Sequence, residues 1–383
     1  MKIVFTGGGT GGHFYPLIAV AEEINRYAHE NHLVQPKKYY MGTEPYDEKS
    51  LYNTDMQYVF CPAGKLRRTK DIGSKVRNAF SAVATGFGFL KALMSLLVIF
   101  PDVIVSKGGY TSFPVLLAAR LLRIPVVVHE SDAKFGRVNK WSARFAAHIA
   151  VAYPEAEREL GEGQKKKTAL IGIPIRRQLL YNPNPDGYDI LKLEKDIPIV
   201  AVLGGSSGAQ YVNVNVLDML PLALKKYQVV HVTGAQHHES VKQESESSLR
   251  GMKDIHTYHS FATLNAFHLR ALYSVADIVI TRAGSTTLFE VAAWGIPTIV
   301  VPIPEDVSHD QRANAYAYAR SAGGVVVEQQ NLNPNLLMAE IDKILSSESL
   351  RKTMRERAQA FAQPDASKKM ARLVTGILRM HEV

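Results

Sequence analysis

The same short arrangement opens each half of this chain: an apolar run, a loop dense in glycine, and then a helical pattern. In the first half Lys2–Thr6 runs into Gly7–His13, and in the second half Ile197–Leu203 runs into Gly204–Ala209. Strands that alternate with helices form doubly wound parallel sheets. The sequence therefore predicts an α/β fold with two such sheets. Ligands of these sheets bind at the carboxyl ends of the strands, where both glycine loops lie.

The length of 383 residues is long for a single core, which also favours two domains. We expect a first domain over residues 1–175, a linker over 176–190 and a second domain over 191–358; a C-terminal helical segment, 359–383, is expected to pack back on the first domain. Helices are predicted at Pro16–Tyr27 and Arg137–Ala147. Strands are predicted at Lys2–Thr6, Lys38–Met41, Gln57–Phe60, Asp102–Ser106, Pro125–His129, His148–Ala152, Ile197–Leu203, Val229–Thr233, Ile255–Tyr258, Ile278–Ile280, Thr298–Val301 and Gly324–Val327.

The charge balance restricts the class of partner. A net charge of +9 favours an anionic partner: nucleic acid, an anionic membrane or a phosphorylated substrate. Nucleic acid is disfavoured because basic and aromatic residues do not interleave. No sequence pattern has metal-ligand spacing, so neither a metal nor a cofactor is expected. The single cysteine, Cys61, excludes an internal disulfide framework, and the N-terminus lacks a signal-peptide layout.

An apolar segment over Asn78–Phe100 follows a group of cations. The segment is long enough to span a membrane, but its glycines favour a surface helix with one apolar face. The cations are either solvated surface or, together with the apolar face, an attachment site for anionic lipid. This predicted membrane patch comprises Lys65, Arg67, Arg68, Lys70, Lys75 and Arg77.

Two glycine-containing turns are candidate anion sites, because the first N–H groups of a helix attract negative charge. The first turn, Gly7–His13, brings a phosphate or sugar close to the backbone, or simply lets strand and helix pack tightly. His13 is equally interpretable as a structural residue or as a catalytic base. The second glycine loop, with Ser206, has the same two interpretations.

The third candidate turn lies within Ala276–Pro302, where a strand runs into Arg282 and Gly284. The spacing Thr287-x-x-Glu290 is that of a capping box, in which Glu290 would bond its own helix start. Alternatively, Glu290 accepts hydrogen bonds from ribose hydroxyls while the turn holds a diphosphate. The spacing of Thr287 and Glu290 alone slightly favours the interpretation of Glu290 as a helix cap.

Eight motifs resemble, in order, those of the MurG family of bacterial glycosyltransferases, and the resemblance covers nearly the whole chain. They are GGTGGH (8–13), GGY (108–110), HE followed by NKW (129–141), GIPIR (172–176), GGSSGA (204–209), RAGSTTLFE (282–290), GIP with VP (295–302) and Q..NA (311–315).

The resemblance implies a GT-B fold with two Rossmann-like domains and an interdomain cleft. It implies metal-independent, inverting transfer of N-acetylglucosamine from UDP-N-acetylglucosamine to lipid-linked muramoyl-pentapeptide. The reaction belongs to peptidoglycan biosynthesis and serves cell shape and division. The enzyme would lie peripherally on the cytoplasmic face of the cell membrane.

The resemblance also assigns roles by motif. His13 and Glu290 are the implied catalytic residues, His13 as the base, and the motif order reverses the interpretation of Glu290 from cap to ribose ligand. Donor binding is implied for Thr10, Gly11, Gly12, Asp132, Arg176, Ser206, Phe261, Ser285, Thr286, Thr287, Leu288, Phe289, Glu290 and Gln311. Acceptor binding is implied for Gly8, Gly9, Gly108, Gly109, Tyr110 and Asn139. Asn314 would support Gln311.

The chain departs from the family pattern at three places. Ser131-Asp132 replaces Gln-Asn, Ser207 replaces Gln, and Ser285-Thr286-Thr287 replaces Ala-Leu-Thr. The first departure bears on the identity of the donor sugar. Three alternatives remain: a transferase for another membrane lipid, a UDP-sugar epimerase of the same fold, and a non-enzymatic nucleotide-sugar binder.

Overall fold

The chain forms two compact units. One comprises Met1–Arg176 with Pro364–Val383, and the other comprises Arg177–Gln363. The computed structural model describes residues 1–65, 72–181, 186–204, 210–304 and 309–379. Each unit contains a parallel sheet, as the alternation of strands and helices predicts.

The described part of the first unit has a seven-stranded parallel sheet in the order β3-β2-β1-β4-β5-β6-β7. Its strands are β1 Lys2–Thr6, β2 Lys37–Gly42, β3 Met56–Phe60, β4 Val103–Ser106, β5 Val126–Glu130, β6 His148–Val151 and β7 Thr168–Leu170. Its helices are α1 Gly11–Glu30, α2 Glu48–Asn53, α3 Ile72–Ile99, α4 Phe113–Leu122, α5 Arg137–Ser142, α6 Pro154–Glu157, α7 Glu162–Lys165 and, from the end of the chain, α16 Ala366–Arg379.

Alternate residues of β1 enter two different cores, because successive side chains of a strand point to opposite faces. Ile3 and Phe5 pack with α1 and α16, whereas Val4 packs with α3 and α4. Helix α16 contributes Met370 and Val374, both buried, to the first of these cores. The C-terminal helix is therefore an integral layer of the first unit.

The described part of the second unit has a six-stranded parallel sheet in the order β10-β9-β8-β11-β12-β13. Its strands are β8 Ile199–Leu203, β9 Gln228–Val232, β10 Tyr258–Phe261, β11 Ile278–Thr281, β12 Thr298–Val300 and β13 Val325–Val326. Its helices are α8 Gly187–Leu191, α9 Gln210–Ala223, α10 His238–Ser248, α11 Ala266–Val275, α12 Ser285–Trp294, α13 His309–Ala322, α14 Pro334–Ser346 and α15 Glu348–Phe361.

Several predicted elements differ from the structure. The strand predicted at Ile255–Tyr258 is wrong: Lys253–Thr257 is a 3₁₀ helix, and pairing with β9 starts only at Tyr258. Helix α1 begins at Gly11, before the predicted start, because the glycine loop itself completes the first turn. Helix α5 ends at Ser142, and β7 was not predicted.

The stretch predicted as a linker, 176–190, is largely part of the second unit where it is described. Arg177–Leu179 is a 3₁₀ turn, and Trp294 Nε1 donates to the Leu179 carbonyl at 2.8 Å.

Helix α3 carries a continuous apolar stripe on its exposed side. Gly73–Ile99 is long and apolar enough to cross a membrane. Its other side is built into the first unit, since Ala92 and Leu96 are fully buried in the core with Val115. Residues Val76, Phe80, Val83, Phe87, Leu90, Met94 and Leu97 form the stripe, and all are more than half exposed.

Candidate active site

Both sheets reverse their strand order next to a glycine loop. In the first unit β1 pairs with β4 through Thr6 and Ser106, so the loops that follow these two strands are neighbours. In the second unit β8 pairs with β11 through Leu203 and Thr281. In open α/β sheets, ligands bind at the carboxyl edge where the order reverses. The topology therefore defines one candidate site in each unit.

The glycines of the first site allow its two loops to touch. Gly7 has φ +139°, and a Cβ atom there would lie 2.7 Å from Lys107 Cβ. Gly108 has φ +78°, and its Cβ would lie 2.3 Å from Asn139 Oδ1. A larger residue at Gly7 would push the two loops apart, and a larger residue at Gly108 would displace the Asn139 side chain of α5.

His13 lies in the first turn of α1, at the edge of this site. Its Nδ1 is 3.0 Å from Thr10 Oγ1, and its backbone N–H donates to the Thr10 carbonyl. Burial and the nearby Lys107 lower the pKa of His13, while Asp132 acts in the opposite direction. The imidazole is therefore held in its neutral form, which a base requires.

A buried polar cluster lies behind the two loops, and its central residue is Lys107, to which no sequence motif assigns a role. Lys107 Nζ is 2.7 Å from His129 Nδ1 and 2.7 Å from Ser131 Oγ. Burial lowers the pKa of Lys107 to about 7, with Glu130 and Asp132 opposing that effect. Only its position at a strand end, beside glycines, signalled this residue in the sequence.

Asn139, predicted to bind the acceptor, is instead an interior residue. Its side-chain amide donates to Glu130 Oε2 at 2.9 Å and to the His129 carbonyl at 3.2 Å. Glu130 also accepts from the backbone N–H groups of Asp132 and Gly136. Burial raises the pKa of Glu130 to about 7. Together these bonds fix the turn that carries Asp132.

The other predicted residues of the first unit line the outer part of the loops. Thr10 and Gly9 are exposed, and Tyr110 and Asp132 are half-buried. The Arg176 guanidinium stacks on the ring of Tyr15, 3.8 Å from its centroid. Such stacking restricts the orientation of the guanidinium at little cost in hydration. Tyr15 also donates to Asp47 Oδ2 at 3.4 Å.

The second site is built on the start of α12. This helix begins at Ser285, and Gly284 is its N-cap without a side-chain cap bond. The capping-box interpretation of Glu290 is therefore wrong, because Glu290 lies in the second turn and accepts from the Tyr273 hydroxyl at 3.0 Å. Thr286 and Thr287 are half-buried.

Leu288 and Phe289, predicted among the donor-binding residues, place their side chains in the core. Both are fully buried, and Phe289 packs against the ring of Phe361 at 4.6 Å between centroids. Their side chains pack in the core, so the predicted contact with the donor would involve their backbone, and it stays a prediction.

Polar side chains fix the loops around the α12 turn. Asn314 donates to the Ala283 carbonyl at 3.2 Å, and Gln311 Oε1 accepts from the Ile303 N–H at 3.3 Å. Arg282, to which no predicted role was assigned, donates to the Val301 carbonyl at 3.2 Å. Phe261 ends β10, and its carbonyl accepts from the Thr233 N–H.

Four predicted site residues lie outside the described residues: Ser206, Arg67, Arg68 and Lys70. Among the residues that the structure describes, no group of His, Cys, Asp or Glu side chains has the arrangement of a metal site.

Comparisons with known proteins place both sites in one class. Residues 3–151 match the N-terminal domain of glycosyltransferase family 28, and residues 199–370 match its C-terminal domain. A solved structure of MurG from Acinetobacter baumannii superimposes with a TM-score of 0.69, at 23% identity over 98% of this chain and all of that one. A UDP-GlcNAc 2-epimerase from Neisseria meningitidis shares the fold at 13% identity, with a TM-score of 0.67 and 99% and 100% of the two chains covered. The chain is a family 28 glycosyltransferase with the GT-B fold.

A closer relationship follows from a curated relative in Caldanaerobacter subterraneus subsp. tengcongensis. It is 32% identical over 98% of this chain and all of its own length. Its name is UDP-N-acetylglucosamine–N-acetylmuramyl-(pentapeptide) pyrophosphoryl-undecaprenol N-acetylglucosamine transferase. The chain belongs to this family, the MurG family.

Proposed function

We propose that this chain transfers N-acetylglucosamine from UDP-N-acetylglucosamine to a lipid-linked muramoyl-pentapeptide, with inversion at the sugar. The observation that carries the proposal is the pair of sites at the two strand-order reversals, one holding His13 and the other Glu290, in a member of this family. No metal ion takes part in this scheme.

The donor nucleotide binds at the start of α12. The helix N-terminus attracts the diphosphate, with Ser285, Thr286 and Thr287 around it. Buried Glu290 accepts hydrogen bonds from the ribose hydroxyls, and Tyr273 holds its carboxylate in position. Phe261, at the end of β10, contacts the uracil. Gln311 contacts the donor sugar or diphosphate, and Arg176, oriented by Tyr15, adds a positive charge for the leaving diphosphate.

The acceptor hydroxyl is activated by His13. A neutral His13 that donates its Nδ1–H to Thr10 Oγ1 presents an unprotonated Nε2 to the hydroxyl. In this proposal the backbone of Gly8, Gly9, Gly108 and Gly109 contacts the acceptor diphosphate, with Tyr110 beside it. Proton removal by Nε2 then accompanies attack on the anomeric carbon, and UDP leaves.

Donor choice tests the effect of Asp132 in place of the family's asparagine. We expect UDP-N-acetylglucosamine to be used at least about tenfold better than UDP-glucose, because a site built to hydrogen-bond an acetamido group leaves polar atoms unpaired with glucose. The measurement is kcat/KM for each donor with the muramoyl-pentapeptide lipid. Equal values, or a preference for UDP-glucose, would contradict the proposed donor.

Membrane attachment is proposed to use the exposed stripe of α3. Its apolar side chains recur every three or four residues along more than 20 Å of helix, by the rise of about 1.5 Å per residue. Lys75, Arg77, Lys91 and Lys65 are exposed cations on or near this helix. A helix with an apolar face and flanking cations lies in the interface of an anionic membrane. Because its opposite side is buried in the core, we propose that the helix docks on the membrane surface and does not span it. The cytoplasmic face is proposed from the family resemblance.

Replacing Phe80, Phe87 and Met94 by serine should weaken binding to anionic vesicles at least about tenfold, because three large apolar side chains lose their burial in lipid. The measurement is co-sedimentation with vesicles that contain phosphatidylglycerol. Replacing Tyr52 and Val34, which are exposed elsewhere on the same unit, by serine is the matched control. Undiminished binding of the triple variant would refute the proposed surface.

A further inference from the structure

Lys107 is a lysine buried beneath two loops of the proposed acceptor site. It follows β4 and is 2% exposed. Its Cβ lies so close to the first loop that a Cβ added at Gly7 would be only 2.7 Å away. Its Nζ contacts His129 near the end of β5 and Ser131 just after that strand. One side chain thus joins three separate segments of the chain at the carboxyl edge of the sheet.

The hydrogen bonds of His129 show which of its two ring nitrogens carries the proton. His129 Nε2 lies 2.7 Å from the Gly172 carbonyl oxygen, which can only accept. The proton of this buried imidazole is therefore on Nε2, and Nδ1 accepts from Lys107 Nζ. Both bonded partners of Lys107, His129 and Ser131, are uncharged in this arrangement. Among the described residues, no carboxylate bonds directly to the ammonium, so its charge acts on the surrounding loops.

We propose that Lys107 is a positioning residue for the transfer reaction: it ties the turn that carries Asp132 to the loop that leads into α1, and its ammonium group supplies a positive charge that acts on His13. This rests on the proposed function, in which His13 is the base. It also gives a role to Ser131-Asp132, which replaces Gln-Asn in the family pattern, since Ser131 is one of the two anchors of Lys107.

Among the described residues, two ionisable side chains act on the pKa of His13, and His13 in turn acts on a third, His129. Lys107, from the segment after β4, lowers its pKa, and Asp132, from the turn after β5, raises it. His129, behind Lys107, interacts with His13 and is itself kept neutral by burial, which lowers its pKa well below the usual value. Removing Lys107 and removing the charge of Asp132 must therefore shift the pKa of His13 in opposite directions.

The test is the titration of His13 by NMR in the full chain with isotope-labelled histidine, its signal assigned with His13→Ala. In Lys107→Met the pKa of His13 should rise by about half a pH unit or more, and in Asp132→Asn it should fall by a similar amount. Lys107→Gln, which keeps an N–H donor, replaces Lys107→Met if the latter does not fold. A His13 titration that stays unchanged in both charge variants would overturn the proposal.

The matched control, Ser131→Ala, keeps the charge of Lys107 and removes one anchor. This variant should lower kcat by at least about threefold, because about one hydrogen bond is lost. The donor KM and the pKa of His13 should stay near the wild-type values. A wild-type kcat would overturn the anchoring role. Failure of the wild-type chain to transfer sugar would overturn the proposed function alone, whereas unshifted titrations in an active chain would overturn only the role of Lys107.

Discussion

Replacing Glu290 by alanine should weaken UDP binding at least about 100-fold, the largest loss of donor affinity that we expect from any single side chain. Glu290 is 6% exposed, and the Tyr273 hydroxyl donates to its carboxylate at 3.0 Å. A carboxylate that accepts from both ribose hydroxyls loses two charge-assisted hydrogen bonds on truncation, each worth about 1.5–3 kcal/mol. Isothermal titration calorimetry with UDP measures the change directly.

Tyr273→Phe is the matched control for this variant. It removes the hydroxyl that orients Glu290 but leaves the carboxylate in place, so the affinity for UDP should fall by no more than about tenfold. Thermal unfolding of both variants checks that the second unit is intact. A UDP affinity for Glu290→Ala equal to that of the wild type would exclude the ribose role.

Replacing His13 by alanine should lower kcat by about 10²–10⁴-fold with little change in donor affinity, because a general base acts on the acceptor hydroxyl and not on UDP. Burial and Lys107 lower the pKa of His13 below 6.5. A base works in its neutral form, so kcat/KM of the wild type should stay level below pH 6.5 and decline only as the pH falls through that lowered pKa.

His29→Ala provides a comparison on the same helix, since His29 is exposed near the end of α1. This variant should retain wild-type turnover and the same decline of kcat/KM at acidic pH. Turnover in His13→Ala that matches the wild type would show that another group removes the proton.

The fold class could be predicted because it rests on patterns that the sheet itself imposes. Buried parallel strands read as short apolar runs, and Ile199–Leu203 and Ile278–Thr281 are such runs directly before glycine-containing turns. The position of the site followed from the same rule, because ligands bind where strand order reverses. The strand Ile255–Tyr258 was misplaced since its β-branched and aromatic residues fit either a short strand or a turn.

The roles of individual side chains were less predictable, because burial and long-range contacts decide them. Asn139 belongs to a motif near the site, yet its amide is committed to Glu130 and the backbone. Glu290 has capping-box spacing, but the helix starts two residues before Thr287, which leaves Glu290 to interact with Tyr273. Lys107 gave little signal, since its partner Ser131 is 24 residues away in the chain.

The most direct test of the proposed function uses UDP-N-acetylglucosamine whose sugar carries a radioactive label. The chain is incubated with this donor and with vesicles that contain the muramoyl-pentapeptide lipid, and label is counted in the lipid extract. We predict that label enters the lipid in amounts equal to the UDP released, and only when the acceptor lipid is present. Release or epimerisation of the sugar nucleotide without label in the lipid, or no consumption of the donor, would contradict the proposed transfer.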